Sequence, residues 1–277
     1  MDVLEYGTAK TYIQDVDDIR EWMRDNKPRA LVDKVMDEHE AVRKFVRDGY
    51  YLSYDLSSMV RGPMSLEREI IRQGIKNLWL AAKFTLLETT LLVAAGSCNR
   101  IDVGFIGLGK TLSDAVVNKE VETIEWSNGT LALRHKAGAM GVPFLPTRAL
   151  LGTDTLKRSG AKVVIEPFTK KKVCLVPAVN PDVAVIHVNQ CDKYGNARIF
   201  GPSVSPLETA QASKRVEAAN LQALTVLLCR RQAVLRRIRR DIRLQAWLRL
   251  WLYVHVPLTI ALLVALVVHI LTTFMYW

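Results

Sequence analysis

The sequence predicts an α/β protein with an open, mostly parallel sheet and flanking helices, followed by a basic helix and one transmembrane helix. Three observations predict this arrangement. Short apolar segments alternate with amphipathic ones between residues 30 and 215, which is typical of strand–helix units. The segment DVAVIHVNQCD (residues 182–192) is almost continuously apolar, as in a strand covered on both faces. Residues 250–277 carry no Lys, Arg, Asp or Glu and follow an arginine-rich stretch.

The helices of the first half are predicted from their capping residues. Asp33 is placed to cap a helix with Val35 and Val42 on one face. Pro63 is placed to open the next helix, and Gly74 to end it in the left-handed conformation. Seven apolar segments then predict strands at residues 50–54, 77–84, 101–109, 121–128, 162–168, 172–179 and 182–192.

The last 28 residues, 250–277, are predicted to span a membrane. A helix rising about 1.5 Å per residue needs roughly 20 apolar residues to cross a bilayer core of about 30 Å. Trp251 and Tyr253 near one end, and Tyr276 and Trp277 at the other, lie where interfacial aromatic belts are expected. Length and composition therefore favour a membrane helix over a buried core helix.

The stretch 217–249 sets the expected orientation of that span. It holds two acidic residues and eight arginines, Arg230, Arg231, Arg236, Arg237, Arg239, Arg240, Arg243 and Arg249. Because basic residues beside a span stay in the cytoplasm, we expect a cytoplasmic domain anchored to the inner (plasma) membrane, with membrane lipid as a partner. No nucleic-acid partner is expected, since the membrane surface explains the arginines and the span together.

Four motifs carry a family resemblance. They are RGPMSLEREIIRQGIKNL (61–78), IDVGFIGLG (101–109), GAMGVPFLPTRALLGTDT (138–155) and LVPAVNPDVAVIHVNQCDKYGNARIFGP (175–202). In this order they resemble the A (alpha) subunit of family I CoA-transferases, of the glutaconate CoA-transferase type. The chain then divides into a polar N-terminal segment (1–31), an A-subunit-like domain (32–216), a basic juxtamembrane helix (217–249) and the transmembrane helix (250–277).

The resemblance implies an enzyme that moves coenzyme A from an acyl-CoA to a carboxylic acid. Family members use a glutamate nucleophile, and covalent catalysis divides the exchange into easier steps. In two-subunit members that glutamate belongs to the B subunit, so a B-subunit partner is expected and no catalytic residue is assigned to this chain. Glu88 and Glu166 are interpreted as surface or strand-end carboxylates. A coenzyme A thioester is expected as substrate, with no tightly bound cofactor.

The loop after the first predicted strand is the first candidate substrate site. Arg61 is predicted to pair with a substrate carboxylate in a two-pronged contact, and Ser57 and Ser58 to donate hydrogen bonds to the same group. The alternative is structural, with Arg61 capping a neighbouring carbonyl group or pairing on the surface. These two interpretations are equally favoured by the sequence.

The glycine turn after residue 103 is the second candidate substrate site. Gly107, Gly109 and Lys110 follow a predicted strand, at the edge of an α/β sheet where ligands usually bind. The alternative interpretation, a tight turn without a ligand, is favoured for these residues because glycines by themselves are common in turns.

Two histidines mark the C-terminal helix. His255 and His269 are 14 residues apart, which places them on nearly one face and about 21 Å apart along a helix axis. The tail resembles a transmembrane helix of a cytochrome b-like module, in which such histidines ligate haem as the metal centre. Haem is the less favoured possibility here, because the opposing ligands would have to come from a membrane partner.

Two departures from the family pattern leave alternative functions open. Tyr54, Asp55 and Leu56 stand where CoA-transferases commonly have Gly-Gly-Phe, which puts the accepted acyl group in doubt and admits an acyl-CoA ring-opening hydrolase subunit. The resemblance also stops near residue 216, where the family continues with further strand and helix. A fused reading frame would then make the chain a catalytically silent, membrane-anchored binding or electron-transfer component.

Overall fold

The computed structural model describes residues 2–27, 30–55, 61–107, 109–214, 251, 255, 257–259 and 262–275. The chain divides into two compact units, residues 1–227 and 228–277. The strands of the first unit are β1 (Val3–Tyr6), β2 (Tyr51–Asp55), β3 (Leu78–Ala82), β4 (Cys98–Val103), β5 (Glu122–Glu125), β6 (Phe144–Thr147), β7 (Lys162–Ile165), β8 (Lys172–Pro177), β9 (Val183–Ile186), β10 (Gln190–Cys191) and β11 (Ala197–Arg198). Its helices are α1 (Val16–Asn26), α2 (Glu38–Phe45), α3 (Met64–Arg72), α4 (Leu87–Ala94), α5 (Lys110–Val117), α6 (Asn128–Met140), α7 (Asp154–Lys157) and α8 (Pro206–Ala212).

A five-stranded parallel sheet lies at the centre, in the order β5-β4-β3-β2-β9. Each neighbouring pair is parallel, with Leu52 opposite both Leu80 and Val183. The predicted α/β class and parallel sheet with flanking helices are therefore confirmed. Among the described residues β5 and β9 each have one neighbour, so they are the edge strands of this sheet.

A second sheet was not predicted. It is antiparallel, in the order β1-β7-β8-β6. The segments at 162–168 and 172–179 were assigned to the parallel sheet, and that assignment is wrong. Residues 166–171 are all that joins β7 to β8, and a parallel crossover needs a dozen residues or more.

The two faces of the parallel sheet have different coverings. Leu52 and Tyr54 face one way and pack with apolar residues of α2, α3, α4 and α5. Tyr51 and Trp79 face the other way and pack with Leu131 of α6 and with apolar residues of β7 and β8. We call these the helix face and the mixed face. The alternation follows from the two-residue period of a strand, which sends successive side chains to opposite sides.

The helices begin and end at capping residues, but one predicted cap, that of α2, is wrong. Asp37, rather than Asp33, is the N-cap of α2, and its side chain accepts a hydrogen bond from the amide of Glu40 at 2.7 Å. Asp33 instead accepts from the amide of Val35, before the helix begins. Gly74 has φ of 71° just after α3, in the left-handed conformation that the sequence predicted.

The second unit contains a helix, Pro257–Met275, with mean hydropathy of 2.4. Its length and composition are sufficient for a membrane crossing. The basic stretch 217–249 lies outside the described residues, so its predicted helix stays a prediction.

Candidate functional site

The order of the parallel strands reverses between β2 and β9. From β2 the chain continues to β3, β4 and β5 on one side, whereas β9 lies on the other. In open α/β sheets, ligands bind beyond the carboxyl ends of the strands at such a reversal. Asp55 ends β2 opposite Ile186 of β9, and His187 follows β9. The candidate site therefore lies around Asp55 and His187.

A buried ion pair occupies the ends of β2 and β3. Lys83 Nζ donates to Asp55 Oδ1 at 3.3 Å and to Thr209 Oγ1 at 2.8 Å. The backbone amide of Ser205 also donates to Asp55 Oδ1, at 3.0 Å. Burial lowers the pKa of Lys83, and the carboxylate of Asp55 opposes this shift. The pair thus connects both strand ends to the beginning of α8.

Arg61 lies beside the same point, six residues after Asp55. Its side chain is buried, and its guanidinium donates to the carbonyl oxygen of His187 at 3.4 Å and to that of Phe200. Its φ of 69° is unusual for a residue other than glycine. These contacts are the ones expected if Arg61 caps neighbouring carbonyl groups. Pairing of Arg61 with a substrate carboxylate stays a prediction.

The other predicted substrate residues lie in two places. Ser57 and Ser58 lie outside the described residues. Gly107, Gly109 and Lys110 follow β4, which is two strands away from β2, or about 10 Å at usual strand spacing. Gly109 has φ of 120° and precedes α5, whose first residue, Lys110, is exposed. Arg61 and the glycine turn after β4 therefore lie at the same edge of the sheet, but they are not adjacent.

The mixed face carries a network of paired charges just below the site. Arg134 and Asp102 are both fully buried, and Arg134 Nη1 donates to Asp102 Oδ2 at 2.5 Å. Tyr51 donates its hydroxyl to the same carboxylate. Arg134 also donates to the carbonyl oxygens of Pro177 at 3.1 Å and Tyr12 at 2.7 Å. Because each charge has several partners, this network can hold the sheet and α6 together.

A histidine of α6 adds a second polar contact to the mixed face. His135 Nε2 lies 2.8 Å from Ser53 Oγ, and Nδ1 lies 2.8 Å from the carbonyl oxygen of Leu131. Burial, and to a smaller degree the charge of Lys83, lower the pKa of His135 well below its usual value. His135 is therefore neutral at physiological pH, and it positions β2 rather than carrying charge.

The helix face carries two buried acids that have few partners. Glu67 is 1 % exposed, and neither of its carboxyl oxygens has a hydrogen-bond partner within the described part of the chain. Glu88 is 4 % exposed, so the interpretation of Glu88 as a surface or strand-end carboxylate is wrong. Burial raises the pKa of Glu67 well above its usual value, and repulsion from Glu88 adds to the shift. Burial also raises the pKa of Glu88.

Several site residues were not identified from the sequence. Lys83 follows β3 in a segment that was interpreted through its apolar neighbours, whereas Thr209 of α8 and Asn128 of α6 lie in helices that were not predicted. Asn128 follows β5, and a Cβ added to Gly104 would lie 2.2 Å from its Oδ1, so Gly104 permits a close approach. Lys83 could have been identified from the sequence, because it is a charged residue that directly follows an apolar strand.

The two histidines of the tail both lie on exposed helix. His255 stacks on Trp251 with ring centroids 4.1 Å apart. Thr272 and Thr273 donate side-chain hydrogen bonds to the carbonyl oxygen of His269 at 2.9 and 2.7 Å. Among the described residues no group of three His, Cys, Asp or Glu side chains could hold a metal ion. Haem ligation by His255 and His269 stays a prediction.

The open parallel sheet with a reversal of strand order between β2 and β9 is the arrangement of α/β proteins that bind ligands at the carboxyl ends of such strands. The model of the Coenzyme A transferase family matches residues 35–225, and the chain belongs to that family. This match confirms the resemblance at the level of the family.

Several curated proteins are similar to this chain. A protein of Archaeoglobus fulgidus without an assigned function is 45% identical over 73% of this chain and 47% of its own length. The A subunit of the 3-oxoadipate CoA-transferase of Pseudomonas knackmussii is 35% identical over 64% of this chain and 65% of its own length. The cholesterol ring-cleaving hydrolase IpdA subunit of Rhodococcus jostii is 30% identical over 56% and 57%. The chain thus spans about half to two thirds of these relatives.

Glutaconate coenzyme A-transferase from Acidaminococcus fermentans has a similar solved structure. Its TM-score is 0.61, with 23% identity over 65% of this chain and 64% of the other. At this identity the likeness concerns the fold.

Proposed function

We propose that this chain is the A subunit of a heteromeric CoA-transferase, which moves coenzyme A from an acyl-CoA to a carboxylic acid. The observation that carries the proposal is the family match over residues 35–225, together with a site at the reversal of strand order. The nucleophilic glutamate would come from a B subunit. The two buried acids, Glu67 and Glu88, do not fit that role, because burial favours their neutral form and a nucleophile must be ionised.

The substrate would lie at the carboxyl ends of β2 and β9, near Arg61. In this proposal Ser57, Ser58 and Arg61 contact the acyl group's carboxylate, and Gly107, Gly109 and Lys110 lie farther along the same edge. Arg61 supplies a fixed positive charge there even while it donates to carbonyl groups, since a guanidinium has five N–H donors. Positive charge at this edge suits a glutaconate-like dicarboxylic acyl group.

A direct assay tests the proposed activity. The full chain would be co-purified with the B subunit of a CoA-transferase and given an acyl-CoA donor with acetate or a dicarboxylate as acceptor. We expect a new acyl-CoA to form in the complex and not with either chain by itself. A folded complex that exchanges no acyl group would overturn the proposal.

Hydrolysis is the second candidate activity, and the ring-cleaving hydrolase of Rhodococcus jostii favours it, since one of its chains is a relative. The same assay distinguishes it, because hydrolysis or ring opening consumes acyl-CoA without needing the acceptor acid. Acyl-CoA consumption that is independent of the acceptor would favour the hydrolase over the transferase.

We also infer that the tail anchors the protein to a membrane. The apolar helix Pro257–Met275 supports the inference, as does the arginine-rich stretch before residue 250. Removal of residues 250–277 should move the protein from the membrane fraction to the soluble fraction, whereas the full chain should resist a carbonate wash. The haem prediction is tested in the same membranes by absorbance spectroscopy. If no haem absorbance is found, His255 and His269 do not ligate haem as they would in a cytochrome b-like helix.

A further inference from the structure

The turn between β7 and β8 carries an aromatic side chain at its tip. Phe168 is 91 % exposed, the largest exposed fraction among the large apolar side chains that the structure describes. Pro167 beside it is exposed, and so is Ile165 at the end of β7. Hairpin turns are usually polar, because an apolar side chain is more stable out of water. The tip therefore offers an apolar surface that a partner can cover.

Glu166 holds this turn in one conformation. Its carboxylate accepts hydrogen bonds from the backbone amides of Phe168 and Thr169, both at 2.7 Å, and from the Thr169 hydroxyl. The amide of Glu166 donates to the carbonyl oxygen of Lys171 at 3.0 Å and closes the hairpin. The hydrogen bonds, above all the one from the Thr169 hydroxyl, lower the pKa of Glu166 to about 2. Because the turn is already formed, it presents the ring of Phe168 without a cost of ordering on binding.

Three lysines follow the tip. Lys170, Lys171 and Lys172 are all exposed. Lys172 pairs with Glu5 of β1 at 3.4 Å. Within the described part of the chain, no ion pair includes Lys170 or Lys171. Two cations without an acidic partner there thus lie directly beside the exposed aromatic ring.

An exposed ring beside free lysines has the chemistry of a membrane contact. Aromatic rings favour the interface between headgroups and hydrocarbon, and lysines are attracted to anionic headgroups. An acidic protein could also attract the lysines. The tail of this chain favours lipid, because the helix Pro257–Met275 is long and apolar enough to cross a membrane. An anchored chain would hold its other surfaces at a high effective concentration of lipid.

We propose that the β7–β8 turn, residues 166–171, is a lipid-contact site. The ring of Phe168 enters the headgroup region of an anionic membrane, and Lys170 and Lys171 bind the headgroups. This role goes beyond the proposed transferase function, and the turn takes no part in acyl exchange. It rests on the inferred membrane anchor only for the high local concentration of lipid.

Photo-cross-linking of the full chain tests the site. The photoreactive aromatic residue p-benzoylphenylalanine would replace Phe168, and the chain would be incorporated into phosphatidylcholine vesicles with or without phosphatidylserine. After irradiation we expect mass spectrometry to find a lipid adduct at residue 168 that requires phosphatidylserine and decreases at high salt, because salt screens the lysines. In a Lys170→Gln, Lys171→Gln background the adduct should decrease by about fivefold for each lysine removed.

The β10–β11 turn supplies a matched control. There the Asp192 carboxylate accepts from the amides of Tyr194 and Asn196, both at 2.9 Å. Tyr194 is only 38 % exposed, and the ammonium group of Lys193 lies 5.1 Å from the centroid of its ring. The same photoreactive residue in place of Tyr194 should give no lipid adduct. The proposal is overturned if residue 168 of a vesicle-bound chain gives protein adducts only or none, or if its lipid adduct is independent of the two lysines or equals that at residue 194.

Failure of the lipid contact is distinguishable from failure of the anchor or of the transferase. A full chain that a carbonate wash removes from vesicles lacks the anchor, and cross-linking with an excess of added anionic vesicles then decides the lipid contact. Acyl exchange in a complex with the B subunit should be the same for the wild type and for Lys170→Gln with Lys171→Gln. A wild-type complex without acyl exchange would overturn the transferase function and leave the adduct at residue 168 unchanged.

Discussion

The two faces of the parallel sheet bury ionisable groups in opposite ways. On the mixed face, Asp102 and Arg134 form a salt bridge, and each has further hydrogen-bond partners. On the helix face, Glu67 lacks a partner for either oxygen among the described residues, and Glu88 lacks one for Oε1. The ionisable groups on both faces are buried, so the two faces differ in whether these groups have a partner of opposite charge. The comparison teaches that burial at this depth permits a charge only where a counter-charge accompanies it.

The largest expected effect comes from breaking the pair on the mixed face. Arg134→Met leaves the Asp102 carboxylate buried with a tyrosine and a tryptophan as its remaining partners. We expect a loss of about 3–5 kcal/mol in the free energy of unfolding, the usual result of removing one member of a buried pair. Urea unfolding of the full chain followed by tryptophan fluorescence measures it. Asp102→Asn with Arg134→Met should recover much of the loss, and a double variant as unstable as Arg134→Met would show that packing, rather than charge, dominates.

A smaller effect of opposite sign is expected on the helix face. The folded state raises the pKa of Glu67, so this group's stabilisation is complete at acid pH and is lost as pH rises above its unfolded value. Glu67→Gln imitates the neutral acid. It should therefore have little effect near pH 4 and be stabilising at pH 8, by roughly 1.4 kcal/mol for each unit by which the folded pKa exceeds the unfolded one. Thermal unfolding from pH 4 to pH 8 measures the difference.

Glu69 of the same helix is the matched control with the reverse dependence. Hydrogen bonds from Gln73, His39 and Arg72 lower the pKa of Glu69 to about 2. Its stabilisation is therefore present above the unfolded pKa and is lost as pH falls toward 2. Glu69→Gln should destabilise at pH 7 and become neutral in acid. Parallel pH curves for the Glu67 and Glu69 variants would contradict the distinction between paired and unpaired acids.

The smallest expected effect concerns the helix that supplies Arg134. Ser127 caps α6 by accepting from the amide of Thr130 at 3.0 Å, and Thr130 Oγ1 accepts from the amide of Ser127 at 2.8 Å. Ser127→Ala should cost about 1 kcal/mol. Ser113→Ala is the control, because Ser113 is exposed and donates within the first turn of α5. If both variants lose the same free energy of unfolding, the Ser127 cap does not contribute specifically to the stability of α6 on the mixed face.

The inner part of the central sheet could be predicted because β2, β3 and β9 are buried on both sides. The strand β9 is a continuous apolar run and β2 packs on both faces, so local composition alone marks both of them. The helix α6 was missed for the converse reason. Its buried side includes Arg134 and His135, and a search for apolar periodicity excludes such residues.

The candidate site was predictable only in part. The loop containing Arg61 was identified because a helix begins just after it, which is a local signal. Lys83 and Thr209 are 126 residues apart in the sequence, and the contact between them depends on the folding of α8 onto β2 and β9. A pairing of this kind cannot be inferred from residue types along the chain. The acid pair was missed similarly, since Glu67 and Glu88 resemble ordinary first-turn helix acids.

The edge strand β1 has a consequence for biosynthesis. Val3 lies opposite Val164 and Tyr6 opposite Lys162, so the antiparallel sheet joins residues synthesised early to residues synthesised much later. At usual elongation rates of about 5–20 residues per second, the emerging chain holds Val3–Tyr6 without a partner for roughly 10–30 s. This strand therefore pairs long after its synthesis, and a chaperone bound to it would have that interval in which to act.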